Sequence, residues 1–481
     1  MNQSVTIGID IGTTSVKGIA ADAAGRVVAR VRIEYPIFSP EPAVLQHDAG
    51  RSWHDAVLEA TREVTEKAVS EGYSIHGVNV AAMVPSMCAV DGNGMPISEG
   101  IMYGDPRIGE PEIRGLAPSE DGEFARMLAW MAKRYPEAAG YWPAQAVANA
   151  ALCGRGAIDT VTAMTALPVF DWVGWDSDVV SALGARVEQL PELVPGGEIA
   201  GEIAGDLAAR GLPEALRGVQ MFGGSIDAFC EQLVAGIVND GDVLVIIGAT
   251  LITWAVIPEW HEADGLWTVP HNVEGKSLIG GPSNAGGIAE RFAQEFLTSP
   301  TDPTASNARQ DSIPVFIPFV RGERVPLHDP ARTAQFLGLS QSTGPAGAWR
   351  AVYEASGFTV RRALELAGLI AGPSLSPEAS ATLPTNDERS ARRIVVTGGG
   401  ANNESWVQAI ADVTGLPVDR VAEPMGAALG AALQARGEGA GDWSAIDRRF
   451  EPRPDWFAGC TERYETFVAA SGPPFKHVGQ D

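Results

Sequence analysis

Four short stretches of the chain carry residue types suited to chemistry on an anionic ligand. The first reads Gly8-Ile-Asp10-Ile-Gly12-Thr13-Thr14-Ser15-Val-Lys17. A tight turn between two strands presents backbone N–H groups and hydroxyls to an anion, and Gly12 permits close approach. Asp10 stands at the strand end, where a carboxylate can hold hydrated Mg2+ beside phosphate oxygens. Lys17 either reaches a phosphoryl group or lies on the surface. The same letters also suit an ordinary hairpin with a polar turn. A second turn, Gly248-Ala-Thr250, is placed to grip phosphates from another side, although alone it reads as a plain hairpin.

The third stretch is Thr397-Gly398-Gly399-Gly400-Ala-Asn402-Asn403, after an apolar run that begins at Ile394. Three glycines between strand and helix leave room for a flat ligand to press on bare backbone, and an adenosine suits them better than a pyrophosphate. A dinucleotide fingerprint is excluded because Asn403 stands where its last glycine belongs. The fourth is Gly223-Gly224-Ser225-Ile226-Asp227-Ala228. Asp227 is placed to take the proton of a hydroxyl that attacks phosphorus, or simply to cap the helix that follows. Two look-alikes fall away. Glu274-Gly275-Lys276-Ser277 imitates a P-loop, but Pro270 occupies the first glycine position. Gly223 to Asp227 imitates a serine elbow whose final glycine is missing.

These residues need elements to hold them. Val5 to Asp10 is β-branched and alternating, Val16 to Ala21 reads as the returning strand, and Val27 to Tyr35 as a third. Arg51 to Ser70 has helical spacing, and Gly77 to Met83 returns to strand. Three strands, helix, strand and helix predict an α/β layer with a mixed sheet. Asp242 to Ile257 repeats the strand, Gly/Thr turn, strand pattern, so the chain reads as a duplication whose second copy begins near residue 240. Residues 234–241 suit a hinge. Residues 108–220 carry mainly helical patterns and read as an insertion on the substrate side, where Trp142, Trp172 and Trp175 are candidates to line a pocket. Residues 371–390 read as an exposed loop, and those after Gly437 as an accessory tail.

A length of 481 residues predicts two or three domains. Lys plus Arg number 35 against 60 Asp plus Glu, a net charge of −25, which argues against nucleic-acid and membrane partners. A nucleotide site on such a chain must work through local N–H groups and Mg2+. Cys88, Cys153, Cys230 and Cys460 lie far apart, so neither a disulfide framework nor a thiolate metal site is expected. The polar start and the absence of a membrane-length apolar run point to the cytoplasm.

In this order, the motifs resemble the FGGY family of carbohydrate kinases, within the actin-like ATPase superfamily, across roughly residues 5–435. Asp10 to Lys17 resembles the first phosphate motif, Gly224 to Ala228 the segment with the catalytic aspartate, and Thr397 to Trp406 the adenosine loop. Glu423-Pro-Met-Gly426 through Gly430 is similar to the helix after that loop, and Leu337 to Phe358 to the second family signature. The resemblance implies two RNase H-like domains with duplicated βββαβα cores flanking a central cleft. Their expected bounds are 1–240 with a sugar-binding insertion, 241–440 with the adenosine loop, and a tail at 441–481. It implies ATP with Mg2+ as donor and a small sugar or polyol as acceptor, a ketopentose such as xylulose being the best guess. Asp227 inherits the base role and Asp10 that of metal ligand. Gly12, Thr13, Thr14, Ser15, Lys17, Gly248, Thr250, Gly398, Gly399, Gly400 and Asn402 inherit ATP binding. Asp105, Arg107 and Met83, with Asp227, inherit acceptor binding. Met83-Val-Pro85-Ser86 departs from the Gln-Met-His-Gly of xylulokinases, and Ala249 and Leu251 make the second turn less typical. A non-catalytic, nucleotide-gated sugar-binding or regulatory protein of the same fold is the alternative. A homodimer is compatible with the sequence, which leaves the oligomeric state open.

Overall fold

The computed structural model describes residues 4–41, 44, 46–109, 122–271, 275–297, 308–372, 391–423, 425–437 and 442–476. By internal contacts the chain divides into two compact units, residues 1–234 with 425–443, and residues 235–424 with 444–481.

In the first unit, Ser4–Ile11 (β1), Ser15–Asp22 (β2) and Val27–Glu34 (β3) form an antiparallel meander, followed by the helix Ala56–Ser70 (α1) and the strand Ser74–Ala82 (β4). β4 runs parallel to β1, Asp10 opposite Ala81, while Asp10 lies opposite Lys17 on β2. The sheet extends beyond β4 through Gln220–Phe222 (β5) to Ile199–Glu202, and Ser225–Ile226 (β6) pairs with the end of β4. β1 is buried on both faces because both are covered, its isoleucines toward one and Thr6, Gly8 and Asp10 toward the other. Val57, Ala60 and Val64 of α1 share a core with Ile7 and Ile9. On the other face lies the helix that begins at Gly426, so close that a Cβ on Gly8 would stand 1.8 Å from the Ala428 carbonyl oxygen. β3 instead alternates buried and exposed residues, as an edge strand with one wet face should.

The inserted region is less helical than its patterns suggest. Its described residues hold the helices Glu123–Arg134, Ala144–Cys153 (α2), Thr160–Ala163 and Ser177–Ala182, but also four three- or four-residue strands. Asp227–Ala235 (α3) then leads out of this unit.

The second unit repeats the plan. Asp242–Ile247 (β7), Leu251–Ile257 (β8) and Ser277–Ser283 (β9) form the meander, and Arg393–Thr397 (β10) runs parallel to β7, Val396 opposite Val245. Val418–Val421 (β11) follows β10, so each sheet contains the same five-strand core, β3-β2-β1-β4-β5 and β9-β8-β7-β10-β11 (spatial order 3-2-1-4-5), with Ile199–Glu202 added beyond β5 in the first and Trp267–Pro270 beyond β9 in the second. The duplication is real at the level of topology. Between β9 and β10 lies the long helix Pro345–Leu366 (α4), buried along almost its whole length, against which Glu404–Thr414 (α5) packs.

Two segments fall where the sequence-based bounds do not put them. Gly426–Arg436 (α6) belongs to the first unit, sealing β1 with a row of alanines and glycines. The described residues after Gly437 are no loose appendage: Ile446–Phe450 (β12) pairs with β11, and Pro454–Ser471 (α7) buries Trp456, Cys460, Tyr464 and Phe467 in the second core. Residues 373–390, most of the expected Ser/Pro/Thr loop, lie outside the described residues. Among the described residues no helix is long and apolar enough to cross a membrane, and all four cysteines are free thiols.

Candidate active site

In the first unit the C-terminal ends of three parallel strands, β1, β4 and β6, lie side by side. Open α/β sheets bind ligands at that edge. β1 delivers Asp10 and the turn Gly12–Thr14, β4 delivers Met83, and β6 delivers Asp227. Each is set by register, not by chain proximity.

Lys17 does not point away from this edge. Its Nζ donates to Asp10 Oδ2 at 2.8 Å. The Asp10 charge, then Glu231 more weakly, holds the Lys17 ammonium above its ordinary range although burial works the other way. Asp227 begins α3 and keeps part of its surface open. Burial, with the negative charge of Asp10, pushes its carboxyl up to about 7, against the pull of the Ala228 N–H and of Lys17. A carboxylate with that affinity is poised to accept a proton near neutrality. Asp227 is the first helical residue of α3, and its Oδ1 accepts from the Ala228 N–H at 2.7 Å, the next residue and not the N–H two or three residues on that a helix cap takes. Glu231 stands one helical turn further on and is buried. Glu231 lies outside all four motifs, and only the fold brings its charge to bear on Lys17.

The turn itself is braced from beneath by side chains that no motif announces. The Tyr35 hydroxyl donates to the Gly12 carbonyl. His47 Nε2 meets the Thr13 carbonyl at 2.8 Å, and Trp53 Nε1 donates to His47 Nδ1 at 2.9 Å. The Tyr103 hydroxyl lies 3.1 Å from Thr13 Oγ1. Ser15 is buried, its backbone carbonyl closing the turn onto the Gly12 N–H at 3.1 Å.

Asp105 and Arg107 come together, with Arg107 Nε 3.0 Å and Nη2 2.6 Å from the Asp105 carboxylate. The hydrogen bond to Asp105 chiefly holds the Arg107 guanidinium firmly protonated. Arg107 Nη1 also donates to Gln46 Oε1 at 2.9 Å, and its guanidinium lies over the Trp130 ring. Asp105 is buried; Arg107 is half-buried. Met83, 3% exposed, is packed into the first core, with its N–H on the Ile11 carbonyl. The tryptophans divide: Trp142 packs against Gly94, Gly140 and Gly156, Trp175 donates to the Pro191 carbonyl, and Trp172 is 58% exposed.

In the second unit, the Gly248 N–H donates to the Thr250 carbonyl, and the Gly248 and Ala249 carbonyls accept from Gly287 and Ile288, the first residues of the helix Gly287–Gln294. This anchors the turn at the end of β7. At the end of the neighbouring β10, Gly398 takes a positive φ of 85°, and a Cβ there would stand 2.8 Å from the Ile247 carbonyl. Only glycine makes that approach without strain. Gly399–Asn402 then form one tight helical turn in which Gly399 and Asn402 are exposed, and a Cβ on Gly399 would meet nothing. Asn403 is spent on structure, accepting from the Trp406 N–H and donating to the Tyr353 hydroxyl. The result is a shelf of bare backbone beside a Gly/Thr turn.

Comparison with known proteins agrees with this arrangement. Residues 5–114 match the N-terminal domain, and residues 253–436 the C-terminal domain, of the FGGY family of carbohydrate kinases. The xylulose kinase of Bacillus subtilis is 24% identical over 500 residues, covering 98% of this chain and 93% of that protein. The gluconokinase of the same organism is 24% identical over 449 residues, covering 85% and 83%. The crystal structure of gluconate kinase from Lactobacillus acidophilus superposes with a TM-score of 0.79 at 20% identity, over 98% of each chain, and so shares the fold. With both domain models matched in order on a duplicated 3-2-1-4-5 sheet, the chain belongs to the FGGY family of carbohydrate kinases and is a sugar kinase.

Proposed function

We propose that the protein transfers the γ-phosphoryl group of Mg-ATP to a hydroxyl of a small sugar or polyol, with a ketopentose such as xylulose as the leading acceptor. The observation that carries this reading is Asp227, partly open at the strand edge beside Asp10, with its carboxyl raised to about 7. In the transfer, the acceptor oxygen bonds to phosphorus, the bond to the β-phosphate oxygen breaks, and ADP leaves. The acceptor proton passes to Asp227.

The residues present fit the two groups this reaction needs. Mg2+ keeps most of its waters and asks one or two carboxylates of the protein; Asp10, with Oδ2 engaged by Lys17, would offer it Oδ1. When bound, Mg2+ would offset charge on the phosphate oxygens. Gly12 to Ser15 offer N–H groups and hydroxyls to phosphate, Lys17 adds a cation, and Gly248 and Thr250 form a second turn of the same kind. Gly398 to Gly400 offer the adenosine a flat surface without side chains, and Asn402, exposed at the end of that turn, would add a polar edge. Asp105, its side chain fully buried, holds the part-exposed Arg107 guanidinium in one geometry, which would present a fixed polar edge to an acceptor hydroxyl.

The relatives named xylulose kinase and gluconokinase make both acceptors reasonable first probes. The test is ADP release measured across ketoses, aldoses, polyols and sugar acids, with Asp227→Asn beside the wild type. A positive acceptor should raise turnover only in the wild type, and the variant should lose about 10²–10⁴-fold while still binding ATP. Undiminished turnover in Asp227→Asn would refute the base assignment. ATP binding with no acceptor-dependent turnover in the wild type would favour a non-catalytic regulatory role.

A further inference from the structure

The phosphate turn is held by groups far from it in sequence, and their chemistry dictates one arrangement of protons. An indole N–H can only donate, so the 2.9 Å contact from Trp53 Nε1 requires a bare lone pair on His47 Nδ1. His47 is fully buried between the Tyr35 and Trp53 rings, at centroid distances of 5.1 and 6.0 Å, and burial lowers its basicity to about 4. A neutral imidazole with an unprotonated Nδ1 carries its hydrogen on Nε2, which therefore donates to the Thr13 carbonyl at 2.8 Å.

A trans peptide points its carbonyl and the next N–H in opposite directions. Holding the Thr13 carbonyl downward on His47 thus aims the Thr14 N–H the other way. The Tyr35 hydroxyl on the Gly12 carbonyl does the same for the Thr13 N–H. Two consecutive N–H groups are in this way aligned without either bracing side chain touching a ligand. The short strand that carries His47 also carries Gln46, which accepts from Arg107. One dipeptide thereby reaches both the turn and the Asp105/Arg107 segment.

From this geometry we infer that His47, locked by Trp53 as its Nε2–H tautomer, is a positioning residue that together with Tyr35 pre-aims the Thr13 and Thr14 N–H groups at the nucleotide's phosphates. The inference rests on the phosphate reading of the Gly12–Ser15 turn and adds to it the device that orients the donors.

The test is titration calorimetry of Mg2+ with a non-hydrolysable ATP analogue on the wild type, His47→Leu, His47→Gln and Tyr35→Phe, with thermal melting of each. Glutamine can present a donor to the Thr13 carbonyl and an acceptor to Trp53; leucine can present neither. His47→Leu should bind about tenfold more weakly, the loss of one well-placed hydrogen bond and its consequences, and His47→Gln should recover most of that affinity. Tyr35→Phe keeps the ring and loses only the hydroxyl, so it should weaken binding even if His47→Leu fails to fold. Unchanged affinity in Tyr35→Phe, or in a folded His47→Leu, overturns the inference, as does a His47→Gln no better than leucine. A wild type that binds no analogue sinks the phosphate reading, and the inference with it.

Discussion

Asp227 and Lys17 show how one charge decides the behaviour of its neighbours. Asp10 pairs with Lys17 and, by the same negative charge, adds to the burial that makes Asp227 reluctant to ionise. If Asp227 is the base, it must be unprotonated to act. The acid limb of kcat/KM should therefore fall about tenfold per pH unit below an apparent pKa near 7 and level off above it, and a flat profile from pH 5 to 8 would contradict the role. Stability carries the opposite sign. A carboxyl whose folded pKa lies above its unfolded value costs nothing at low pH, where both states are protonated, and its penalty grows as pH rises toward 7. Asp227→Asn should accordingly raise the melting temperature at pH 8 and leave it nearly unchanged at pH 4, with calorimetric scans at both values as the check. Of this group, the sequence showed Asp10, Lys17 and Asp227 as candidates. It did not show that Lys17 is committed to Asp10, because an i, i+7 pair across a hairpin depends on register.

At the scale of elements, the second unit fastens its last helix through buried charge. Glu354 on α4 accepts from Arg350 at 2.8 Å and from Arg463 on α7 at 2.7 Å, while Asp412 on α5 takes Arg350 at 2.9 Å and Arg453 at 2.6 Å. Burial alone would raise Glu354, but the two guanidinium groups outweigh it and hold the carboxyl below its ordinary range. Removing one partner of such a network strands the others. Glu354→Ala should cost about 3–5 kcal/mol, seen as a lower midpoint in urea unfolding, and a change under about 1 kcal/mol would show the network to be dispensable. Neither network nor helix was legible as such. Arg350 and Glu354 stood together in a family-like signature, yet the groups that complete the network, Arg453 and Arg463, lie about a hundred residues downstream, where the sequence read only as a tail.

On the scale of the whole molecule, chain order and spatial order part company. α6 follows the second unit in sequence but seals the first, and β12 and α7 then return to the second. A chain cut after residue 440 would keep both expected domains by sequence, but would leave β11 with an open edge and uncover a core pocket holding Trp456, Tyr464 and Phe467. Each such side chain contributes about 1.5–3 kcal/mol when fully buried. The truncated protein should be largely insoluble or bind a hydrophobic dye, whereas normal yield and melting would mean that the segment is indeed accessory.

The sequence by itself determined what contiguous residues can encode: two Gly/Thr hairpin turns, a glycine shelf between strand and helix, a carboxylate at each critical strand end, and a repeat that announced the duplicated sheet. Backbone conformation and local turn chemistry are written over five to ten neighbouring letters, so they survive translation into structure. Only the tertiary structure decided which distant groups serve those turns. Tyr35, His47, Trp53 and Tyr103 meet beneath Gly12 and Thr13 from four separate places in the chain, with no shared period to betray them. Their partnership depends on how strands register and how loops fold back, which is settled by packing rather than by any local pattern.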